Sequence, residues 1–156
     1  MAKNPKYEFK PCEGADTKMR SARRLVKLLL QEDSEILPKH REECLGIALW
    51  KITEAESEHK HRTRLCSETA YESPLTASLR HEHVYQKKYM IQALIKSKPE
   101  DVDRILDLAV GCTVTMEEHI LLHKYEDKDG WERYKAAGIA VIDAWDGRIF
   151  EFPDAS

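Results

Sequence analysis

The sequence of 156 residues has a single asparagine, Asn4, and its four cysteines, at positions 12, 44, 66 and 112, include no Cys-x-x-Cys pair. No apolar run approaches the roughly 20 residues that cross a bilayer, and the first residues, Met-Ala-Lys-Asn-Pro-Lys, lack the apolar segment of a signal peptide. We therefore expect a cytoplasmic protein with reduced thiols and no membrane contact. The formal net charge of −3 excludes a protein that coats nucleic acid through overall attraction, but not one with a locally basic face.

Length and composition indicate one domain with its own core. Residues 1–15, which contain prolines and a glycine, predict an irregular N-terminal arm, and residues 16–156 predict a single globular domain. We expect an α+β fold, a mainly helical domain with a small antiparallel sheet near the C-terminus, where Asp146-Gly147 predicts a hairpin turn. Apolar periodicity and capping residues predict helices over about 16–31, 38–56, 85–98, 99–110, 115–128 and 131–137.

Three of these helices carry a further expectation. The second, from Pro38, is apolar on nearly every side of its middle, which predicts a central helix buried among its neighbours. The fourth, from Pro99, ends where Gly111 suits a left-handed terminator. The first bears basic residues with no acidic residue among them, which predicts either a phosphate-binding face or a solvated surface. These basic residues are Arg20, Arg23, Arg24 and Lys27.

Four of the seven histidines lie between residues 79 and 123. His81 and His83 are separated by one residue, so both imidazoles share a face if this segment is a strand. On a helix the two side chains would point about 200° apart and could not bind one ion. Histidine is a common metal ligand and the usual base near neutral pH, so the pair predicts a metal site or an acid–base site.

A second pair of histidines lies at the start of a helix, where Thr115 and Glu118 match a capping box. His119 and His123 are four residues apart on that helix, which puts both on one face and within reach of one ion. Cys112, just upstream, could add a thiolate ligand. The ordinary interpretation stays open for all of them, since such histidines also bond backbone carbonyls or lie at the surface, and a cysteine suits a core position.

Glu82-His83-Val84, followed by a helix that carries further histidines, resembles the HNH branch of the His-metal-finger nucleases. In that family a strand ends in an acid or a His followed by the catalytic His, and a later helix delivers a His or Asn to the metal. The chain departs from the family's pattern in the central Asn, which has no counterpart here. Separately, Ala48–Lys51, Gly130–Tyr134 and Ala137–Ile139 resemble segments of a bacterial family to which we attach no function.

The resemblance to HNH nucleases implies a role for each matching residue. His83 would be the general base that activates water. His81 or Glu82, together with His119 or His123, would hold a divalent cation, which we expect to be Mg²⁺, Mn²⁺ or Zn²⁺, against the scissile phosphate. With Cys112 as the further candidate ligand, the sequence predicts a metal-dependent phosphodiesterase acting on nucleic acid. Its expected phosphate contacts are Arg80, Lys87 and Lys88, with Arg20, Arg23, Arg24 and Lys27.

Two other hypotheses stay open beside the nuclease. One is a non-catalytic module that binds a protein partner, with Trp131, Tyr134 and Trp145 as contact aromatics, since Trp, Tyr and Arg dominate interface energetics. We favour the simpler interpretation of these aromatics, which is that they pack the C-terminal helix against the hairpin. The other is a structural metal site that includes Cys112 and the histidines and leaves no position for water.

Overall fold

The structure is a computed structural model that describes residues 6–72 and 78–154. Within these ranges, seven α-helices and five β-strands form an α+β fold, which confirms the predicted class. The helices are α1 (Ala15–Leu29), α2 (Pro38–Glu54), α3 (Glu68–Glu72), α4 (Lys87–Lys96), α5 (Val102–Leu106), α6 (Met116–His123) and α7 (Trp131–Ala137). The strands are β1 (Leu65–Ser67), β2 (Leu79–His83), β3 (Gly111–Thr115), β4 (Val141–Asp143) and β5 (Arg148–Ile149).

The strands form one mixed sheet in the order β2-β3-β1-β4-β5. β1 and β3 are parallel, and the other neighbouring pairs are antiparallel. The predicted C-terminal hairpin is the β4–β5 pair, and its turn contains Gly147 with a φ of 76°, a backbone conformation that favours glycine. The sheet extends beyond this hairpin because β2 and β3 join it through β1. Within the described residues β2 pairs with β3 alone, which makes β2 an edge strand.

Side chains along β2 and β3 alternate between the two faces of the sheet. We call one of them the α2 face: it carries Leu79, His81 and His83 and is covered by α2, which packs with α1, α4 and α5 in a helical core. The opposite face, which we call the α6 face, carries Glu82 and Cys112 and is covered by α6 and α7. The two predicted pairs of histidines therefore approach the sheet from different sides.

α2 begins at Pro38 as predicted, but it is not buried all round. Leu45, Leu49 and Ile52 are buried, whereas Cys44 is exposed and Ile47 is 57% exposed. The prediction of a central core helix is therefore wrong. The helix packs on one side against α1 and α4 and shows its other side to solvent, although that side also carries apolar residues.

Gly111 does not terminate a helix, contrary to the prediction. α5 ends at Leu106, and Gly111 is the first residue of β3, outside the positive φ region. A Cβ atom at this position would lie 2.7 Å from Nε2 of His81, closer than carbon and nitrogen can pack. Glycine is therefore needed here to make room for the His81 ring.

Residues 6–14, the described part of the predicted N-terminal arm, are irregular but pack on the domain. Tyr7 and Phe9 are buried, the Tyr7 hydroxyl donates to the Thr63 carbonyl at 2.6 Å, and Pro11 forms a β-bridge with Ser57. Tyr7 packs in a cluster with Cys66 of β1, Leu79 of β2 and Ile142 of β4, so the segment covers the α2 face over these three strands. In the described ranges, no helix combines the length and the apolar character needed to span a membrane.

Candidate metal centre

The start of α6 is fixed by the predicted capping box, which the structure confirms. Thr115 is both the last residue of β3 and the N-cap of α6, and its Oγ1 accepts from the Glu118 amide at 3.2 Å. The Glu118 carboxylate accepts from the Thr115 amide at 3.0 Å and from the Ser67 hydroxyl of β1 at 2.5 Å. Two strands therefore hold the first turn of α6, and with it His119, against the α6 face.

Three of the predicted ligands converge on this face. The Oε1 atom of Glu82 contacts Nδ1 of His119, and Nε2 of His119 lies 3.3 Å from Nε2 of His123. One ligand atom from each of the three side chains lies within 4.8 Å of the others. The side chains are 10%, 32% and 56% exposed in the order Glu82, His119, His123, so the cluster runs from the interior to solvent and is open at its outer end.

This arrangement fits a divalent cation that is intermediate between hard and soft, such as Zn²⁺. Two nitrogens bonded to one zinc ion at about 2.0–2.1 Å and at tetrahedral angles lie about 3.3 Å apart. That spacing equals the distance between the two imidazole nitrogens of His119 and His123. Two imidazoles and one carboxylate, with an open position, are a ligand set of catalytic zinc sites, whereas Mg²⁺ prefers oxygen ligands alone.

Arg133, which the sequence did not identify as a site residue, anchors the buried end of the cluster. Its side chain is 4% exposed, and its Nη2 lies 3.4 Å from Oε2 of Glu82. The same nitrogen donates to the His83 carbonyl at 2.9 Å and lies 3.5 Å from the Val84 carbonyl. α7 therefore supplies a buried cation that balances the Glu82 carboxylate and holds the end of β2 in place.

His81 belongs to the α2 face and makes structural contacts there. The predicted extended segment is confirmed by β2, and His81 and His83 do share one face of it. Nδ1 of His81 donates to the Lys60 carbonyl at 2.7 Å, and its Nε2 lies 3.1 Å from the Thr53 hydroxyl. Burial lowers the pKa of this imidazole, so the ring is neutral and both nitrogens are engaged.

His83 is also buried on the α2 face, where its ring meets Trp50 edge-on at 4.5 Å between centroids. Its Nε2 is enclosed and has no hydrogen-bond partner among the described residues. Burial, with smaller contributions from His81, Lys87 and Arg133, lowers the pKa of His83 to about 3. The structure therefore separates His81 and His83 from His119 and His123 by the thickness of β2, and no single ion is bound by both pairs.

Cys112 lies on the α6 face but apart from the three ligands. It is directly opposite Glu82 in the β2–β3 register and has no exposed surface. Burial raises the pKa of its thiol well above the usual value, and the Tyr134 hydroxyl lies beside it. A protonated thiol is a poor metal ligand, so these surroundings are those of a core cysteine.

The predicted phosphate-binding residues near β2 fall on both sides of the sheet. Arg80 is on the α6 face, two residues from Glu82, and Lys88 places its Nζ 3.9 Å from Oε2 of Glu126 beside the cluster. Lys87 lies over the Trp50 ring at 4.9 Å on the α2 side, and burial lowers its pKa. Of the predicted phosphate contacts, Arg80 and Lys88 therefore lie on the same side as the three ligands, where Arg133 is a further, buried cation.

The basic residues of α1 are partly neutralised by α5, which the sequence did not indicate. Arg23 forms ion pairs with Asp103 at 3.2 Å and Asp107 at 2.7 Å, and Lys27 reaches Asp103 at 2.8 Å. Arg20 and Arg24 are exposed on the same helix. α1 packs against α2 and α5 in the helical core of the α2 face, so this surface lies on the other side of the sheet from the cluster.

The C-terminal aromatics divide into core and surface residues. Trp131 is 6% exposed and packs against Phe150 and Phe152 at 5.0 and 5.1 Å between ring centroids, and Tyr134 is fully buried. The predicted packing of the C-terminal helix against the hairpin is therefore seen in part: Trp131 of α7 contacts the two phenylalanines that directly follow β5. Trp145, in contrast, is 64% exposed.

The described residues contain one group of three or more histidine, cysteine or carboxylate side chains close enough to share an ion, and that group is Glu82, His119 and His123. Comparison of the chain with protein-family models, with curated proteins and with solved structures gives no match. The geometry of these three side chains is therefore the ground on which a function is proposed.

Proposed function

We propose that the protein is a metal-dependent phosphodiesterase acting on nucleic acid, with a divalent cation held by Glu82, His119 and His123. The convergence of these three side chains between β2 and α6 carries the proposal. It is supported by the order of residues that the HNH resemblance implies, in which the carboxylate directly precedes His83 and a later helix supplies the imidazoles. Because two of the three ligands are imidazoles, Zn²⁺ fits better than Mg²⁺ or Mn²⁺.

When bound, such an ion lowers the pKa of water and offsets negative charge on a phosphate. The protein's own side chains prepare the site for this chemistry. Nη2 of Arg133 lies 3.4 Å from Oε2 of Glu82 and holds the carboxylate in place, with Oε1 turned toward α6. Arg80 and Lys88 lie on the same side as the cluster, where their charges attract a phosphodiester backbone.

His83 is the general base in this proposal. Its Nε2 has no partner among the described residues, and burial, which lowers its pKa to about 3, keeps the ring neutral but makes it a weak base in the absence of substrate. A phosphate close to the ring would raise this pKa, because a negative charge favours the imidazolium. In this proposal a substrate lies across the edge of β2 beside the cluster, and the packing of His83 against Trp50 opens to bring Nε2 to it, because that nitrogen is enclosed in the structure.

The experiment measures cleavage of plasmid DNA, of RNA and of bis(p-nitrophenyl) phosphate with Zn²⁺, Mn²⁺ or Mg²⁺ added to metal-free protein. We expect wild-type protein to cleave a phosphodiester with Zn²⁺, and His119→Ala to lose both bound metal and cleavage. His83→Gln should keep its metal and lose about 10²–10⁴-fold in rate, the usual contribution of a general base. His40→Ala, an exposed histidine of α2, is the matched control and should behave as wild type.

The outcomes separate the hypotheses. No cleavage by metal-loaded wild-type protein would overturn the phosphodiesterase and leave a metal-binding module without catalysis, whose exposed apolar contacts are Trp145 and Ile149. Cleavage that survives His83→Gln would instead remove His83 from the mechanism and leave the metal site as the centre of activity.

A further inference from the structure

A second carboxylate lies at the outer end of the cluster. Nδ1 of His123 is 2.9 Å from Oε1 of Glu126, which follows it in the chain after α6 ends. An imidazole that donates Nδ1–H to a carboxylate carries its proton there and leaves the lone pair of Nε2 free for a metal ion. The contact with Glu126 therefore selects the tautomer of His123 in which Nε2 is the ligand atom.

The inner imidazole has the same arrangement. The Glu82 carboxylate contacts Nδ1 of His119, and the Nε2 atoms of His119 and His123 face each other at 3.3 Å. Glu82, as a ligand, would exchange its contact with Nδ1 of His119 for the ion, whereas Glu126 contacts Nδ1 of His123, away from the Nε2 atoms, and keeps that contact. If the Glu126 contact were lost, His123 would rotate freely at the surface, where its side chain is 56% exposed.

The backbone around Glu126 is held by the corner between β2 and α4. The Tyr89 hydroxyl donates to the Glu126 carbonyl at 3.0 Å, and the Gln86 side-chain amide donates to the carbonyls of Glu126 and Lys128 at 3.3 and 2.8 Å. The Gln86 backbone amide donates to the Asp129 carboxylate at 2.7 Å. The loop after α6 is therefore fastened to the residues that follow Glu82 and His83 in the chain.

The Glu126 carboxylate lies between the His123 imidazole and a cation. Nζ of Lys88 lies 3.9 Å from Oε2, the oxygen that does not contact the imidazole. One oxygen thus faces His123 and the other faces a cation.

We propose that Glu126 is a positioning residue of the metal site, which holds His123 so that its Nε2 and that of His119 bind the same ion. The inference rests on the metal site of the proposed function, but not on the reaction. It makes the loop between α6 and α7 part of the site, because the carboxylate keeps its place through the contacts of Gln86 and Tyr89.

The test is a titration of metal-free, full-length protein with Co²⁺, followed by its visible d–d absorption, and then competition with Zn²⁺. Glu126→Gln should weaken Co²⁺ binding by about 10–100-fold, the usual effect of removing a carboxylate from a metal-ligating histidine. The matched control is Asp127→Asn, an exposed carboxylate of the same loop that lies 4.0 Å from Lys128. Asp127→Asn should bind Co²⁺ as wild type does.

Three results are distinguishable. Weaker binding in Glu126→Gln, with normal binding in Asp127→Asn, supports the role of Glu126. Equal binding by the two variants and wild type overturns that role and leaves the metal site intact. If wild-type protein does not bind Co²⁺ or Zn²⁺ at all, the metal site of the proposed function fails, and the role of Glu126 fails with it.

Discussion

Histidine side chains lie on both sides of β2, where one pair is buried and the other pair reaches solvent. His81 and His83 point to the α2 face, where burial lowers their pKa values and Trp50 packs against both rings. Glu82, between them, points to the α6 face and meets His119 and His123, which extend the cluster to solvent. Strand alternation decides which histidine becomes a core residue and which face can hold an ion.

Among the described residues, the α6 face is the one that is open to a ligand from solution in this structure. On the α2 face, both nitrogens of His81 are engaged and the rings are enclosed by α2. On the α6 face, a buried Glu82 is balanced by Arg133, while the outer imidazole remains exposed. A preorganised inner end and an open outer end are the features that a metal site with exchangeable water needs.

The largest effect should come from removing the cation behind Glu82. Arg133→Met keeps much of the volume but leaves a buried carboxylate and two carbonyls without their donor. We expect the free energy of unfolding to fall by about 3–5 kcal/mol, the usual cost of breaking a buried ion pair from one side. Urea unfolding of metal-free protein, followed by far-ultraviolet circular dichroism, measures this change.

The control for this prediction removes both charges. Glu82→Gln combined with Arg133→Met should be more stable than Arg133→Met alone, because no carboxylate is then left uncompensated in the interior. A loss below about 1 kcal/mol in Arg133→Met would mean that water reaches Glu82 and that the inner end of the cluster is not closed.

Local sequence patterns were enough to predict much of the fold. The capping box at Thr115 and Glu118 fixed the start of α6, and the i, i+4 spacing put His119 and His123 on one face. Period-two alternation put His81 and His83 together on β2. These features depend on residues a few positions apart, whose relative directions follow from backbone geometry alone.

The candidate site itself depends on contacts between distant parts of the chain, which such patterns do not encode. Glu82 and Cys112 are opposite each other on β2 and β3 and share the face that α6 covers. The partner of His119 is therefore Glu82 and not His81, which lies on the other face. Arg133 approaches from a third element, where its neighbours in the sequence are core aromatics. The acidic residues that neutralise Arg23 likewise come from α5 and from the residue that directly follows it.

A smaller effect should distinguish the histidines of the two faces in the absence of metal. His81→Ala removes a ring with two polar contacts that ties β2 to α2 and to the Lys60 turn, so we expect a loss of about 2–4 kcal/mol in unfolding free energy. His123→Ala removes an exposed side chain and should change it by no more than about 0.5 kcal/mol.

His123 should contribute to stability when metal is bound, although its removal has little effect without metal. Unfolding in a chelator and again in excess Zn²⁺ measures the stabilisation that binding adds, which depends on affinity and concentration. Zn²⁺ should raise the free energy of unfolding of wild type and of His81→Ala, which keeps all three ligands, but not that of His123→Ala. Equal stabilisation of His123→Ala and wild type would break the distinction between the faces, because the ion would then lie elsewhere.

The smallest effect on metal binding should come from Cys112, which shares the α6 face with Glu82 but is enclosed in the core. Cys112→Ala should cost about 1 kcal/mol of stability, as a modest core truncation does, and should leave Co²⁺ affinity unchanged. The Co²⁺ spectrum of wild type should lack the near-ultraviolet absorption of a thiolate ligand, since burial keeps the thiol protonated. Cys44→Ala, at an exposed position of α2, is the control.

A thiolate band that disappears in Cys112→Ala would contradict this prediction. It would show that Cys112 is a fourth protein ligand, and the site would then be structural, with no position left for water.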